Sequence, residues 1–583
     1  MNANGVAQIV FYLVVLTLLV PPLGRYIAWV YEGRRIPGLA RVFGPVERGT
    51  YRLLRIDPEK EQDWKGYTGA VLVFSAVGFG LLYLVLRLQE HLPLNPLGLP
   101  GMSWSLAFNT STSFITNTNW QFYAGESTLS YLSQMLGLTV QNFVSAAAGM
   151  AILAAVIRGF ARRGSGSLGN FWADIVRVTL YVLIPLAVVW TLVLGSQGVM
   201  QTFSDPVTYQ TLEARTLGTT GPDKQPVTQT IVRGPVASQI AIKQLGTNGG
   251  GYYNTNSATP LENPTPLSNF FEVLAVLLIP AALTYTFGVM VGSRAQGWAL
   301  YAAMMAILVV GIFAALPYEQ RGSQVLRATG VELSASANSP GGNLQDKEVR
   351  FGIANSVLWG TTTTAASNGS VNSGLDAWTG GAAVVPLTML GVGEVVFGGV
   401  GSGLYGMLLM VLIAVFIGGL MVGRTPEYLG KKIEAREIKL ASIGILAMPV
   451  GVLVLTAVAV SVGAGKASIF NAGPQGFAES LYAYMSQFNN NGSAMAGYGF
   501  KDFSGTLGGV AMLFGRFIPI LAAMAVAGAL STKKVTPAGV GTLRTASPTF
   551  VVTLIGVIIL VAALTFVPAF VLGPVATQAG GLF

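Results

Sequence analysis

Ten apolar stretches run through this chain, each long enough to cross a bilayer as a helix. They lie near 6–23, 69–88, 127–157, 173–197, 267–291, 298–316, 382–423, 440–463, 505–530 and 549–570. A hydrocarbon core about 30 Å thick is crossed by about 20 apolar residues of helix. Inside it the chain must satisfy its own backbone groups. That leaves helices, and irregular backbone where it is buried in protein or lines a cavity. Of 583 residues, 52% are hydrophobic and 10% charged, against roughly 25% charged in soluble domains. Disorder and a soluble multi-domain enzyme are excluded, and zero Cys excludes a disulfide scaffold or thiolate metal site. The expected class is an all-α polytopic membrane protein with ten transmembrane helices. Met1-Asn2-Ala3-Asn4-Gly5 has no basic n-region, so the first stretch is expected to stay as a helix.

The net charge of +9 invites a nucleic-acid reading, which the placement of the charges removes. Stretches 24–66, 158–172, 292–297, 424–439 and 531–548 hold 21 of the 34 Lys and Arg in 98 residues. Stretches 89–126, 198–266, 317–381 and 464–504 hold 10 in 213. The dense side is expected to be cytoplasmic, with both termini outside.

The four sparse stretches carry a repeat. Each is rich in Asn, Gly, Ser and Thr and holds one polar cluster: Thr116-Asn117-Thr118, Thr247-Asn248-Gly249, Ser367-Asn368-Gly369 and Asn490-Asn491-Gly492. The central Asn residues are 131, 120 and 123 apart. A period this even suits a repeated two-helix unit. Short helices are expected before the clusters at Val236–Leu245, Arg350–Thr363, Phe477–Asn489 and, more weakly patterned, Met102–Ser113. Each unit then reads helix, pore helix, filter strand, helix, so four pseudo-symmetric repeats would surround a selectivity filter. The expected division is 67–158, 159–293, 294–423 and 424–530, with flanks 1–66 and 531–583. Rings of backbone carbonyls can replace the water shell of a cation, and Gly best tolerates the required φ/ψ. Gly249, Gly369 and Gly492 are read as equivalent, with Thr118 replacing Gly in the first unit. Asn-Gly alone is a common turn signal, but four clusters at matched places are not explained by turns. The clusters lack Asp and Glu, which favours a monovalent cation over a divalent one, and the carbonyl-ring analogy favours K⁺ over Na⁺.

At this point the chain resembles a known family. The runs Thr116-Asn117-Thr118-Asn119-Trp120-Gln121, Gly246-Thr247-Asn248-Gly249-Gly250-Gly251, Gly393 to Gly403, Gly423 to Lys432 and Asn489-Asn490-Asn491-Gly492-Ser493 are similar to the A subunit of bacterial Kdp potassium-transporting ATPases. The resemblance covers essentially the whole chain. It implies a K⁺-binding, channel-like subunit in the bacterial inner membrane. Its implied partners are a P-type ATPase B subunit and small C and F membrane subunits. K⁺ would enter from outside, shed water at the filter and pass sideways to the ATPase subunit. The filter columns carry over as Asn117 and Thr118, Asn248 and Gly249, Asn368 and Gly369, Asn491 and Gly492. Some relatives have Cys where Asn368 stands, a change that a backbone ligand would survive. Gln121 sits at a position tied to K⁺ affinity in the family.

The stretch 382–423 is 42 residues long and holds ten Gly, which points to a helix–loop–helix that would gate below the filter. Close helix packing through small residues also uses Gly. Gly399 and Gly401 are its expected pivots, and the family's third unit is interrupted in the same way. Gly401 to Gly406 matches a dinucleotide-binding pattern without its strand–helix context. Glu394 and Arg516 are ionisable residues inside spans, hence functional candidates expected to pair and hold the loop. Arg177 is expected to snorkel. The loop after the broken helix, with Arg424, Lys431 and Lys432, is expected to dock on the ATPase subunit or on membrane lipids, or merely to set topology. No ATP machinery is legible: Ala464-Gly465-Lys466-Ala467 is not a P-loop and Asp346-Lys347-Glu348 is not a phosphorylation motif. Whether the chain counts as an enzyme is therefore left to its partner. The alternative readings are a free-standing K⁺ transporter or channel, and a membrane enzyme or scaffold.

Overall fold

The computed structural model describes residues 3–34, 36–210, 228–336, 339–421, 423, 425–535 and 543–579. α1 (Ala3–Tyr31) and α2 (Leu39–Leu54) precede four units of one order. The first is α3 (Trp64–Leu88), α4 (Trp104–Ile115) and α5 (Ser133–Ala161). The second is α6 (Phe171–Ser196), α7 (Val236–Leu245) and α8 (Pro266–Met290). The third is α9 (Arg294–Arg321), α10 (Gly352–Ala365), then α11 (Gly380–Gly391) and α12 (Ser402–Met421). The fourth is α13 (Ala435–Ser461), α14 (Gly473–Asn489) and α15 (Asp502–Ser531), followed by α16 (Pro548–Phe570). Among the described residues ten helices are long and apolar enough to cross a membrane, and they match the ten expected stretches. The protein is a multi-pass, all-α membrane protein. The expected pore helices are present as α4, α7, α10 and α14, with α7 at its expected bounds.

Helix starts are closed by side chains, which matters where orphan backbone donors have little water to turn to. Asp63 accepts from Gly66 N before α3, Asn170 from Trp172 N before α6, and Thr265 from Ser268 N before α8. The helices sort into inner and outer ones. The most apolar window of α5 is 83% buried and that of α8 89%, against 22% for α1 and 17% for α3. Small residues let the inner helices approach closely: a Cβ on Gly159 of α5 would lie 2.6 Å from Ala527 Cβ of α15. α1 clamps α8 through Tyr12 OH on Val273 O (3.1 Å) and Thr286 Oγ1 on Gly24 O (2.9 Å).

The five basic-rich stretches meet on one face. Gln62 pairs with Gly169, Glu61 bridges Arg162 (2.7 Å), and Gln296 Nε2 donates to Thr545 Oγ1 (2.7 Å). Arg162 and Ser167 hold the Glu61 carboxyl below its usual range. Within the expected basic loop at 424–439 a two-stranded ribbon forms, β1 (Glu427–Tyr428) against β2 (Lys431–Lys432), and α13 begins at Ala435. Lys431 turns inward and caps helix ends, donating to Gly159 O (2.9 Å), Arg162 O (2.5 Å) and Leu530 O (2.8 Å). Helix C-termini attract such a cation because their last carbonyls lack donors. Arg177 pairs with Glu47 of α2 (3.2 Å), so a protein partner takes the place of snorkelling.

At the same face Arg158 of α5 forms a two-pronged pair with Asp174 of α6 (2.5 and 2.8 Å), and Tyr67 OH adds a bond at 3.0 Å. Both side chains are nearly buried, 11% and 4% exposed. Removing one member of a buried pair strands a charge and costs about 3–5 kcal/mol. Asp174→Leu should lower thermal stability in detergent by that order, and Arg158→Met/Asp174→Leu should recover most of the loss. A double variant no more stable than the single one would show that the pair matters through something other than charge.

Candidate cation filter

Each pore helix ends by turning its next amides back onto its own last turn. Thr118 N and Asn119 N donate to Ser113 O (2.8 and 3.1 Å), and Asn248 N to Lys243 O (2.9 Å). Asn368 N donates to Thr363 O (3.2 Å) and Asn491 N to Ser486 O (2.8 Å). The backbone after each helix alternates in hand. Left-handed φ values occur at Asn117 (65°) and Asn119 (56°), Thr247 (48°) and Gly249 (69°), Ser367 (55°) and Gly369 (84°), and Asn490 (62°) and Gly492 (94°). Left-handed backbone costs a non-Gly residue roughly 1–2 kcal/mol, least for Asn.

These two patterns set the register and correct the expected one in the first unit. The matched columns are Asn117, Thr247, Ser367 and Asn490; then Thr118, Asn248, Asn368 and Asn491; then Asn119, Gly249, Gly369 and Gly492. Asn119, rather than Thr118, takes the place of Gly. Thr116 is the C-cap of α4, with its hydroxyl on Thr112 O (2.8 Å) and against Thr118 Oγ1 (2.7 Å). It corresponds to Gly246, Ala366 and Asn489.

The four segments close into a ring. Asn117 Nδ2 donates to Thr247 O (2.9 Å), joining the first to the second. A Cβ on Gly249 would lie 2.8 Å from Gly369 C, one on Gly369 2.8 Å from Gly492 C, and one on Gly492 3.3 Å from Asn119 C. Glycine is thus required twice over at these three places, by φ and by the neighbouring backbone. The middle Asn side chains turn away and staple neighbours: Asn368 Nδ2 reaches Lys243 O (3.4 Å) and Asn491 Nδ2 reaches Thr363 O (2.9 Å), each on the preceding pore helix. Asn248 Nδ2 reaches Asn117 Oδ1 (2.5 Å). Asn490 Nδ2 bonds Thr118 Oγ1 (3.0 Å), closing the fourth segment on the first. Gln121 ties the outer ends of the first two segments, accepting from Gly251 N (2.8 Å) and donating to Gly251 O (3.1 Å).

With the amides turned back, the carbonyls have no donors. Thr118, Asn248, Asn368 and Asn491 are 0% exposed. Among the described residues no hydrogen bond reaches their carbonyl oxygens. A buried acceptor left unpaired costs about 1–3 kcal/mol, so a ring of four is expensive unless a cation meets it. Among the described residues no cluster of His, Cys, Asp or Glu could hold a metal ion.

The expected break in the seventh span is present. α11 and α12 are separated by 392–401, with left-handed φ at Gly393, Glu394, Phe397, Gly398 and Gly401. The loop lies against the filter: Val400 N donates to Thr247 Oγ1 (2.8 Å), and a Cβ on Gly399 would be 3.3 Å from Ser367 Cβ. Gly401 packs onto the backbone of Gly149 in α5. Glu394 and Arg516 do not form the expected pair; no ion pair joins them among the described residues. Instead both line an open-sided cavity of about 90 Å³, with Asn490, Ser402 and Tyr405. Glu394 Oε1 has no hydrogen-bond partner there. The loop is held by Val400 and by glycine packing. Arg424 lies outside the described residues.

Sequence reasoning missed a polar buttress behind the ring. Glu272 of α8, fully buried, accepts from Gln244 Nε2 of α7 (2.9 Å) and Ser257 Oγ (2.7 Å). Gln244 Oε1 accepts from Ser370 Oγ (2.9 Å), and Ser370 N donates to Asn368 Oδ1 (3.0 Å). Beside it, Lys243 and Glu262 form a fully buried pair at 2.6 Å. An acid inside an apolar span was the available signal.

Eight spans in four helix–pore helix–strand–helix units around one ring, with α1 and α16 as flanking spans, define a pore-loop membrane transport protein. The fold is shared with the crystal structure of the potassium transporter TrkH from Vibrio parahaemolyticus, with a TM-score of 0.53, 15% identity, and 86% of this chain and 97% of that chain covered. The family model described as potassium-transporting ATPase A subunit matches residues 10–579. Potassium-binding subunits of potassium-transporting ATPases from Herpetosiphon aurantiacus and Sorangium cellulosum are each 56% identical over 578 residues, covering 99% of both chains. The chain belongs to the potassium-transporting ATPase A subunit family.

The corrected register separates two substitutions. Asn119→Gly should leave K⁺ binding within a few-fold of wild type, whereas Gly249→Ala should weaken it at least about tenfold, near 1.4 kcal/mol, by calorimetric titration. Equal losses would return Thr118 to the glycine column. Behind the ring, Glu272→Gln should keep K⁺ over Rb⁺ discrimination and Glu272→Leu should erode it; unchanged discrimination in both variants would reduce the buttress to packing.

Proposed function

We propose that this chain is the potassium-binding and translocating subunit of a K⁺-transporting ATPase, and that the carbonyl ring of Thr118, Asn248, Asn368 and Asn491 is its K⁺ site. The unpaired, fully buried carbonyls carry this reading. K⁺ sheds water at the ring, where carbonyl dipoles replace its hydration shell. The amides, bound to the pore helices, hold those dipoles in place before the ion arrives. Neither acid nor base lines the ring, so a monovalent ion is matched without excess field. Gln121 fixes the entrance. The loop 392–401 blocks straight passage, and the cavity holding Glu394 and Arg516 offers a sideways route. That route would lead to a P-type ATPase B subunit, with small C and F subunits and membrane lipids completing the assembly. The basic-rich face is placed in the cytoplasm and both termini outside, in the bacterial inner membrane.

K⁺ at 100 times its dissociation constant should stabilise the purified chain by about 2.7 kcal/mol relative to Na⁺, read as a shift in Tm. Gln121→Arg should shrink that shift by placing a cation at the entrance. In liposomes, ATP-dependent K⁺ uptake should require a co-expressed chain carrying Asp-Lys-Thr-Gly. Sustained K⁺ flux through this chain alone would favour a free-standing transporter, and equal stabilisation by Na⁺ would remove the K⁺ site.

A further inference from the structure

α2 presents three stripes, each about a third of a turn from the next. Phe43, Glu47 and Tyr51 form the first and dock on α6. Tyr181 OH donates to Glu47 Oε2 (2.7 Å), Arg177 Nε lies 3.2 Å from Glu47 Oε1, and Phe43 meets the Tyr181 ring edge-on at 6.1 Å. Val42, Val46 and Leu53 form the second, and they are 64%, 50% and 81% exposed. Arg41, Arg48 and Arg52 form the third, continued by Arg55 at the C-cap, and all four are exposed.

The position of the helix limits what can cover the apolar stripe. α2 is tethered between α1, which ends at Tyr31, and α3, which starts at Trp64, so it sits at the end of two membrane spans. Its docked stripe holds it against a third, α6. An amphipathic helix at that level lies in the interface, its apolar face in the acyl boundary and its basic face among headgroups. A second feature points the same way. Beyond the C-terminus of α2 a groove is lined by Leu54, Arg55, Asp57, Lys60, Asn170 and Trp172, two cations against one acid. Two cations beside a Trp at an interface suit a phosphate headgroup above an acyl chain.

We propose that α2 lies in the plane of the membrane surface, with Val42, Val46 and Leu53 in the acyl boundary, and that Arg41, Arg48, Arg52 and Arg55 bind the phosphates of anionic phospholipids. Charge complementarity sets the preference for anionic lipid, and the docked stripe transmits occupancy to α6. The leaflet rests on the sidedness proposed above.

The chain has no Cys, so Val46→Cys accepts a single environment-sensitive fluorophore on the full-length protein. Reconstitute it in phosphatidylcholine vesicles with or without phosphatidylglycerol, each containing lipids with a quencher near the headgroup. Quenching should occur in both and be at least twofold stronger with the anionic lipid. Adding Arg41→Gln, Arg48→Gln, Arg52→Gln and Arg55→Gln should abolish that difference; the comparison of lipids on the native arginines stands even if this variant misfolds. No quenching, equal quenching in the two lipids, or quenching lost in the assembled ATPase complex would overturn the proposal, the last in favour of a protein occupant. Glu59→Cys, labelled by an impermeant thiol reagent in oriented vesicles, reads the leaflet separately. Labelling from the outside alone would overturn the cytoplasmic assignment.

Discussion

The structure depends on where four sets of backbone amides point. Each segment after a pore helix donates its N–H groups to the turn it has just left. The donors are spent locally, and the buried carbonyls of Thr118, Asn248, Asn368 and Asn491 are left without a hydrogen-bond donor among the described residues. Alternating left-handed residues permit this, and most of them are not Gly. The strain is distributed over four units, each held by a pore helix packed among long apolar helices. A single unit has no ring to close and nothing to offset its unpaired acceptors.

The surroundings suit that purpose more than they suit stability. Asn staples tie the third and fourth segments to the preceding pore helix, and Glu272, Gln244 and Ser370 brace the third from behind. Buried ions are costly even when paired, yet Lys243–Glu262 and Lys347–Glu319 are fully buried beside the outer ends of the pore units. Their polar partners fix orientation, as in the capture of Asn256 by Lys243 (2.8 Å).

Length and hydropathy made the ten spans legible, because a bilayer imposes one period on every helix that crosses it. α7 was legible because a short run of helix formers, Val236–Leu245, ends directly on the Gly246 to Gly251 glycine-rich run. Thr116-Asn117-Thr118-Asn119 misled, since Thr-Asn occurs in it twice and composition does not choose between the two frames. Asn tolerates left-handed backbone, so Asn119 can stand where the other units have Gly. Glu394 and Arg516 share a cavity without forming a contact ion pair, because opposite charge in one region does not specify distance. The ribbon at 427–432 looked like a basic loop that sets topology because Lys431 finds its partners on the ends of two helices, α5 and α15, both remote from it in sequence.

The bond from Val400 N to Thr247 Oγ1 has one more consequence. Thr247 is itself a left-handed filter residue, and its carbonyl is held by Asn117. The obstruction and the sieve therefore share a latch. Under the proposed K⁺ reading, a loop that swung aside would release the Thr247 hydroxyl, so passage and discrimination would be set by one hydrogen bond.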